Sequence, residues 1–202
     1  MKTTAQVVIA LVAICLLSFT MISTGYKVGD KASDFSLKNV DGKNVALKDY
    51  KTAKGFILVF TCNHCPFAKA YEQRLIDLDK KFAGQGFPVI AINPNDTKAY
   101  EEDSFENMVK RSKEKSYTFP YLIDETQEIA KKYGALKTPH VFLLSKIKTD
   151  LEVVYIGAID DNSEDATAVK SKYLETAIAE LQSGKKVSTS ETKAIGCGIK
   201  WK

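Results

Sequence analysis

Cys62 and Cys65 stand three apart in the stretch Cys62-Asn63-His64-Cys65-Pro66. Two thiols at that spacing can close a small ring by oxidation and reopen it by exchange, which reads as a redox centre. Residues 55–60 before them are apolar on both faces, as a strand in the middle of a sheet would be. Ala68, Tyr71, Leu75, Leu78 and Phe82 after them recur at three- and four-residue spacing, the mark of one buried helical face. The cysteines therefore sit where a central strand ends and a helix begins.

The first N–H groups of a helix are unpaired and its N-terminus is partially positive, so a thiolate is favoured there. Pro66 suits the first turn, where its missing N–H removes no bond. Cys62, the outer sulfur, reads as the nucleophile and Cys65 as the resolving thiol. A helix terminus contributes roughly 0.3–2 kcal/mol. A charged imidazole at about 5 Å would add on the order of 3 kcal/mol at an effective dielectric near 20. Protonated His64 is thus expected to outweigh the helix and to hold Cys62 below about 7.5, titrating with it as a coupled pair.

The chain has 202 residues and a formal charge of +4 spread along its length. One globular domain is the expectation, and without a basic patch interleaved with aromatics it is not expected to bind nucleic acid. Residues 1–25 differ in kind. Lys2 precedes the apolar run Val7–Leu17, and Ser23 and Gly25 follow, as in a secretory signal. The wider run Ala5–Ile22 approaches the length of an uncleaved anchor, the one case in which membrane contact is expected. Either way the remainder lies outside the cytoplasm, where disulfides persist.

Residues 26–184 read as the working domain. Asp41-Gly42 between alternating apolar positions marks an edge hairpin. Val89–Asn93 forms a second apolar strand, parallel to the first across the cysteine helix. Asn93-Pro94-Asn95-Asp96 follows as a loop on the ligand side of such a sheet, with an ordinary turn as its plainer reading. Asp103-Ser104 opens a short helix, and Asp124-Glu125-Thr126-Gln127 reads as the capping box of another that ends at Gly134. Thr138-Pro139 stands at the mouth of the strand Val141–Leu144, with Val153–Ile156 as its partner. An X–Pro bond is cis in only about 5% of cases, so by itself this one reads as trans. Asp160-Asp161-Asn162 leads into a last helix that buries Leu174, Ala177 and Ile178. Residues 185–202 form a tail with no periodicity, carrying Cys197 between glycines and the sole tryptophan, Trp201. It is either a docked segment or a frayed end.

Cys62-Asn63-His64-Cys65-Pro66 after an apolar strand, with Thr138-Pro139 before another, resembles the thioredoxin-like thiol-disulfide oxidoreductases. Gly29-Asp30-Lys31-Ala32-Ser33-Asp34-Phe35 looks like the opening of their redoxin branch, which includes peroxiredoxins and exported reductases. The Gly196–Trp201 run resembles the ends of some peroxiredoxin-like redoxins. The resemblance implies an α/β thioredoxin fold, a mixed central sheet flanked by helices, with an N-terminal β-hairpin extension and a C-terminal tail. It implies a cis Pro139 against the cysteines and a Thr138 backbone offering strand-like hydrogen bonds to a bound polypeptide. His140 would lie near the site or turn to solvent. Two departures stand out. The strand Phe56–Phe60 lacks the buried acid of thioredoxins, and Thr61 adjoins Cys62 rather than standing three residues before a peroxidatic cysteine.

The expected function is an exported, periplasmic thiol-disulfide oxidoreductase acting as a monomer on protein thiols or disulfides and replenished by a redox partner protein. Cys62 and Cys65 would be catalytic, His64, Thr138 and Pro139 modulating or substrate-binding, and Cys197 an additional redox thiol. No cofactor beyond the Cys62–Cys65 disulfide and no metal is called for. The alternatives are a thiol peroxidase resolved by another cysteine and a cuprous-copper delivery module using both thiolates and His64.

Overall fold

The computed structural model describes residues 25–202, so the signal or anchor expected over residues 1–25 lies almost wholly outside it. Among the described residues no helix is long and apolar enough to cross a membrane.

Among the described residues ten strands run β1 Lys31–Ala32, β2 Ser36–Asn39, β3 Asn44–Ala46, β4 Gly55–Phe60, β5 Val89–Asn93, β6 Tyr121–Ile123, β7 Lys137–Thr138, β8 His140–Ile147, β9 Asp150–Gly157 and β10 Cys197–Gly198. Among the described residues four helices accompany them: α1 Pro66–Phe82, α2 Phe105–Glu114, α3 Glu128–Tyr133 and α4 Tyr173–Gln182. The main sheet has the order β1-β9-β8-β4-β5-β6-β2-β3. Within it β4, β5 and β6 are parallel, while β8, β9, β1, β2 and β3 pair antiparallel, giving the mixed sheet expected.

All six residues of β4 are buried because helices and loops cover both faces of the sheet. Ile57 and Val59 face the layer formed with Tyr71, Leu75 and Ile178 of α1 and α4. Phe56, Leu58 and Phe60 face a second layer with Tyr133, Phe142 and Leu47. Each such side chain stabilises the fold by about 1.5–3 kcal/mol over its exposed state. The Asp41-Gly42 turn joins β2 to β3 at one sheet edge, with Gly42 at φ +86°.

One local reading changes, and one pair of alternatives is decided. Gln127 is not the partner in a capping box. It sits at φ 61° before α3, and Asp124 instead accepts from the Ala130 N–H. The tail does not fray: β10 pairs antiparallel with β7, a second small ribbon beside the main sheet. The Thr138-Pro139 peptide is cis, as the family resemblance implied.

Candidate active site

β4 delivers the chain to Thr61, the backbone bends through Cys62-Asn63-His64, and Cys65 is the residue that caps α1, with Pro66 first in the helix. Cys62 is 3% exposed and Cys65 fully buried. Opposite them the cis-proline turn presents Thr138: Cys62 Sγ lies 3.2 Å from Thr138 Oγ1, and Cys65 Sγ lies 3.1 Å from the Thr138 carbonyl oxygen. Cys197, carried in by β10, brings its Sγ to 2.6 Å from that of Cys65. Cys62, Cys65, Cys197, Thr138 and Pro139 are thus drawn together at one end of β4.

The residues between the cysteines have separate tasks. Asn63 is buried, accepting from Tyr121 OH at 3.0 Å and donating to the Glu102 carbonyl at 2.8 Å. His64 stacks on Tyr100 with ring centroids 5.0 Å apart, and its Nδ1 meets Asp103 Oδ2 at 2.6 Å. Asp103 is fully buried and also accepts from the N–H groups of Asn63 and His64 at 2.7 and 3.2 Å and from Asn95 at 2.8 Å. A buried acid thus does lie beside the cysteine loop, but it comes from the 3₁₀ turn Glu101–Asp103 rather than from β4. The Asn93–Asp96 loop, read as an ordinary turn, frames this carboxylate and holds the tail: Asn93 donates to the Asp103 carbonyl and Asn95 accepts from the Lys200 N–H. The only sequence signal for Asp103 was its place at the start of α2, where Ser104 in fact caps.

The electrostatics reverse the expectation for Cys62. The Cys65 sulfur across from it, burial and the charge of Asp103 all push the Cys62 thiol up. Cys65 is drawn down to about 4, chiefly by the hydrogen bond from Cys62, with Cys197 and the N–H groups of Ala68 and Cys197 adding to it. The imidazole sits against a carboxylate, so a protonated His64 presents Cys62 with a neutralised pair rather than a bare cation. One proton is thus shared by two sulfurs. On Cys62 it leaves the anion at the helix terminus. On Cys65 it is donated to the Thr138 carbonyl, and the Cys62 thiolate is held by the Thr138 hydroxyl and the Cys65 N–H.

His140 is 8% exposed, so it is not turned to solvent. It packs on Phe142, its Nδ1 accepts from the Leu136 N–H, and burial lowers it to about 4. Among the described residues, Cys62, His64 and Asp103 hold donor atoms within 4.8 Å of one another. That trio takes in Asp103 rather than Cys65, so it is not the two-thiolate-and-imidazole set suited to cuprous copper.

Residues 28–162 match the model of the AhpC/TSA family. The thiol-disulfide oxidoreductase ResA of Bacillus thuringiensis subsp. konkukian (strain 97-27) is 30% identical over 148 residues, which cover 70% of this chain and 80% of that protein. The crystal structure of an uncharacterized conserved protein from Geobacillus kaustophilus superposes with a TM-score of 0.80 at 40% identity, covering 88% of this chain and 93% of that one. A putative thiol:disulfide interchange protein DsbE from Chlorobium tepidum, 24% identical, shares the fold with a TM-score of 0.54 over 65% of this chain and 85% of that one.

Proposed function

The chain belongs to the AhpC/TSA family and is a thiol-disulfide oxidoreductase; from that premise we propose that it exchanges disulfides with protein substrates outside the cytoplasm through Cys62 and Cys65. The observation that carries this reading is the two sulfurs at the α1 terminus, each within reach of Thr138 on the cis-proline turn.

The reaction starts from the tautomer with its proton on Cys65. The Cys62 thiolate attacks one sulfur of a substrate disulfide, forming a mixed disulfide while the other substrate sulfur leaves as a thiolate. The Cys65 proton passes to that leaving sulfur, and the Cys65 thiolate attacks Cys62 Sγ. The Cys62–Cys65 disulfide closes, the second substrate thiolate departs, and two electrons have passed to the substrate. The reverse sequence oxidises a substrate dithiol. The Asp103-His64 pair and Asn63 hold the loop so that both sulfurs keep their place as the proton moves. A protein partner of the opposite redox state replenishes the pair, and the chain acts as a monomer. Lys2 with the apolar run Val7–Leu17 supports export.

Turnover of a protein disulfide by Cys62→Ser and Cys65→Ser variants tests the assignment. Both are expected to lose catalysis, and Cys65→Ser to accumulate a mixed disulfide at Cys62. A Cys62→Ser protein that exchanges as fast as the parent would sink it.

A further inference from the structure

The tail does more at the site than cover it. β10 lies antiparallel on β7, with Cys197 opposite Thr138 and Gly198 opposite Lys137. It is anchored by the residues that follow it: Ile199 is buried in the second core layer and donates its N–H to the Leu136 carbonyl. Lys200 is held by Asn95, Gln127 and the Asp96 N–H. Gly196 passes so close to the turn that a Cβ there would stand 2.3 Å from the Thr138 carbonyl oxygen. The strand-pairing edge next to the cysteines is therefore occupied by the chain's own residues, and those residues carry a thiol.

We propose that Cys197 is a third redox-active cysteine, and that the oxidised enzyme alternates between a Cys62–Cys65 and a Cys65–Cys197 disulfide. This deepens the exchange reading above and rests on it. Cys65 is the shared partner, touching Cys62 on one side and Cys197 on the other. In the step itself the Cys197 thiolate attacks Cys65 Sγ of the Cys62–Cys65 bridge. The Cys65–Cys197 bond forms, the Cys62–Cys65 bond breaks, and Cys62 leaves as a thiolate that takes up the proton Cys197 gave to solvent. No electrons enter or leave, so no further oxidant is required.

The two oxidised forms differ in consequence. In the first, an incoming polypeptide that pairs with β7 must displace β10. In the second, β10 is bonded in place and Cys62 is a free thiol. In the reduced enzyme Cys197 is held up to about 11 by burial and by the Cys65 sulfur beside it. Once Cys65 is tied up in a bridge its negative charge is gone, while Lys200 and Lys137 still favour the Cys197 thiolate. Burial still raises Cys197, but it ionises more readily at this stage than in the reduced enzyme.

The test is disulfide mapping by mass spectrometry of the full chain equilibrated in glutathione buffers. In the parent protein both bridges are expected, in a ratio that does not change with the poise of the buffer, because their interconversion moves no net electrons. In Cys62→Ser, with reduced glutathione held at about 0.1 mM, Cys65 is expected to bridge to Cys197 over forming a glutathione adduct by about tenfold or more, since a neighbouring thiol acts at millimolar effective concentration or above. Adding Gly196→Ala, which alters no cysteine but pushes the tail off Thr138, is expected to return Cys65 to the glutathione adduct. A Cys62→Ser protein carrying only glutathione at Cys65, beside a parent that forms Cys62–Cys65 and no other bridge, overturns the proposal alone. A parent that never forms Cys62–Cys65 overturns the exchange reading as well.

Discussion

A buried carboxylate with donors on every side is costly to disturb, and Asp103 is that group here. Asp103→Ala would strand the N–H groups of Asn63 and His64 and the Asn95 amide. At about 1–3 kcal/mol for each unsatisfied buried donor, the variant is expected to lose at least about 3 kcal/mol in urea unfolding. Asp103→Asn keeps an acceptor and removes the charge that pushes Cys62 up, so its Cys62 is expected to ionise more readily, read as thiolate absorbance against pH. The cysteine pair makes a second prediction. With Cys65 ionised above about 4 and Cys62 held protonated, reduction of the bridge at neutral pH takes up one proton with two electrons. The midpoint potential should fall by about 30 mV per pH unit, where two ordinary thiols would give about 59 mV. The sign for stability follows: the depressed Cys65 stabilises the reduced fold fully above its ordinary value near 9, and that contribution drains away as pH falls toward about 4. The cysteines were legible in the sequence because strand and helix start are local signals, whereas Thr138-Pro139, by itself a trans proline at a strand mouth, was placed beside them only by the family resemblance. The reversal at Cys62 was not legible, since Asp103 stands 40 positions from Asn63 and only the fold brings it under the loop.

Among the elements, α1 and β10 carry the site between them, and they differ in how visible they are in the sequence. The spacing of Tyr71, Leu75, Leu78 and Phe82 announces α1, because a helix repeats its buried positions every three or four residues. β10 is two residues long and announces nothing, since its partner Thr138 lies far back in the chain. Gln127 shows the same limit. Its position before α3 suggests a cap, yet its side chain donates to the carbonyls of Pro94 and Lys200, the latter 73 positions away. The hold of the tail's end should therefore be measurable at Ile199, the core residue beside β10. Ile199→Ala is expected to cost about 2 kcal/mol in chemical denaturation. It should also leave Trp201, now over Lys131, more open to quenching by acrylamide.

For the molecule as a whole, acid stability is set in part by a buried imidazole rather than by the sulfurs. His140 is neutral in the fold, its value lowered by burial from 6.5 to about 4. The unfolded chain binds a proton at 140 below pH 6.5 and the folded chain does not until about 4, so stability is intact above 6.5 and declines as pH falls between those values. The decline should amount to about 3 kcal/mol. His140→Asn, whose amide oxygen can still accept from the Leu136 N–H, should flatten that part of the profile. The central strands β4 and β5 were readable from their local apolar runs. The eight-strand order was not, because pairs such as β1 with β9 join residues 119 apart, as Lys31 and Asp150 do. That order also decides how the sheet ends: in β1, of two residues, and in β3, of three. Stubs so short give a neighbouring molecule almost no backbone to template on. Concentrated solutions of the folded protein should accordingly resist fibril growth, with thioflavin fluorescence staying flat on prolonged incubation.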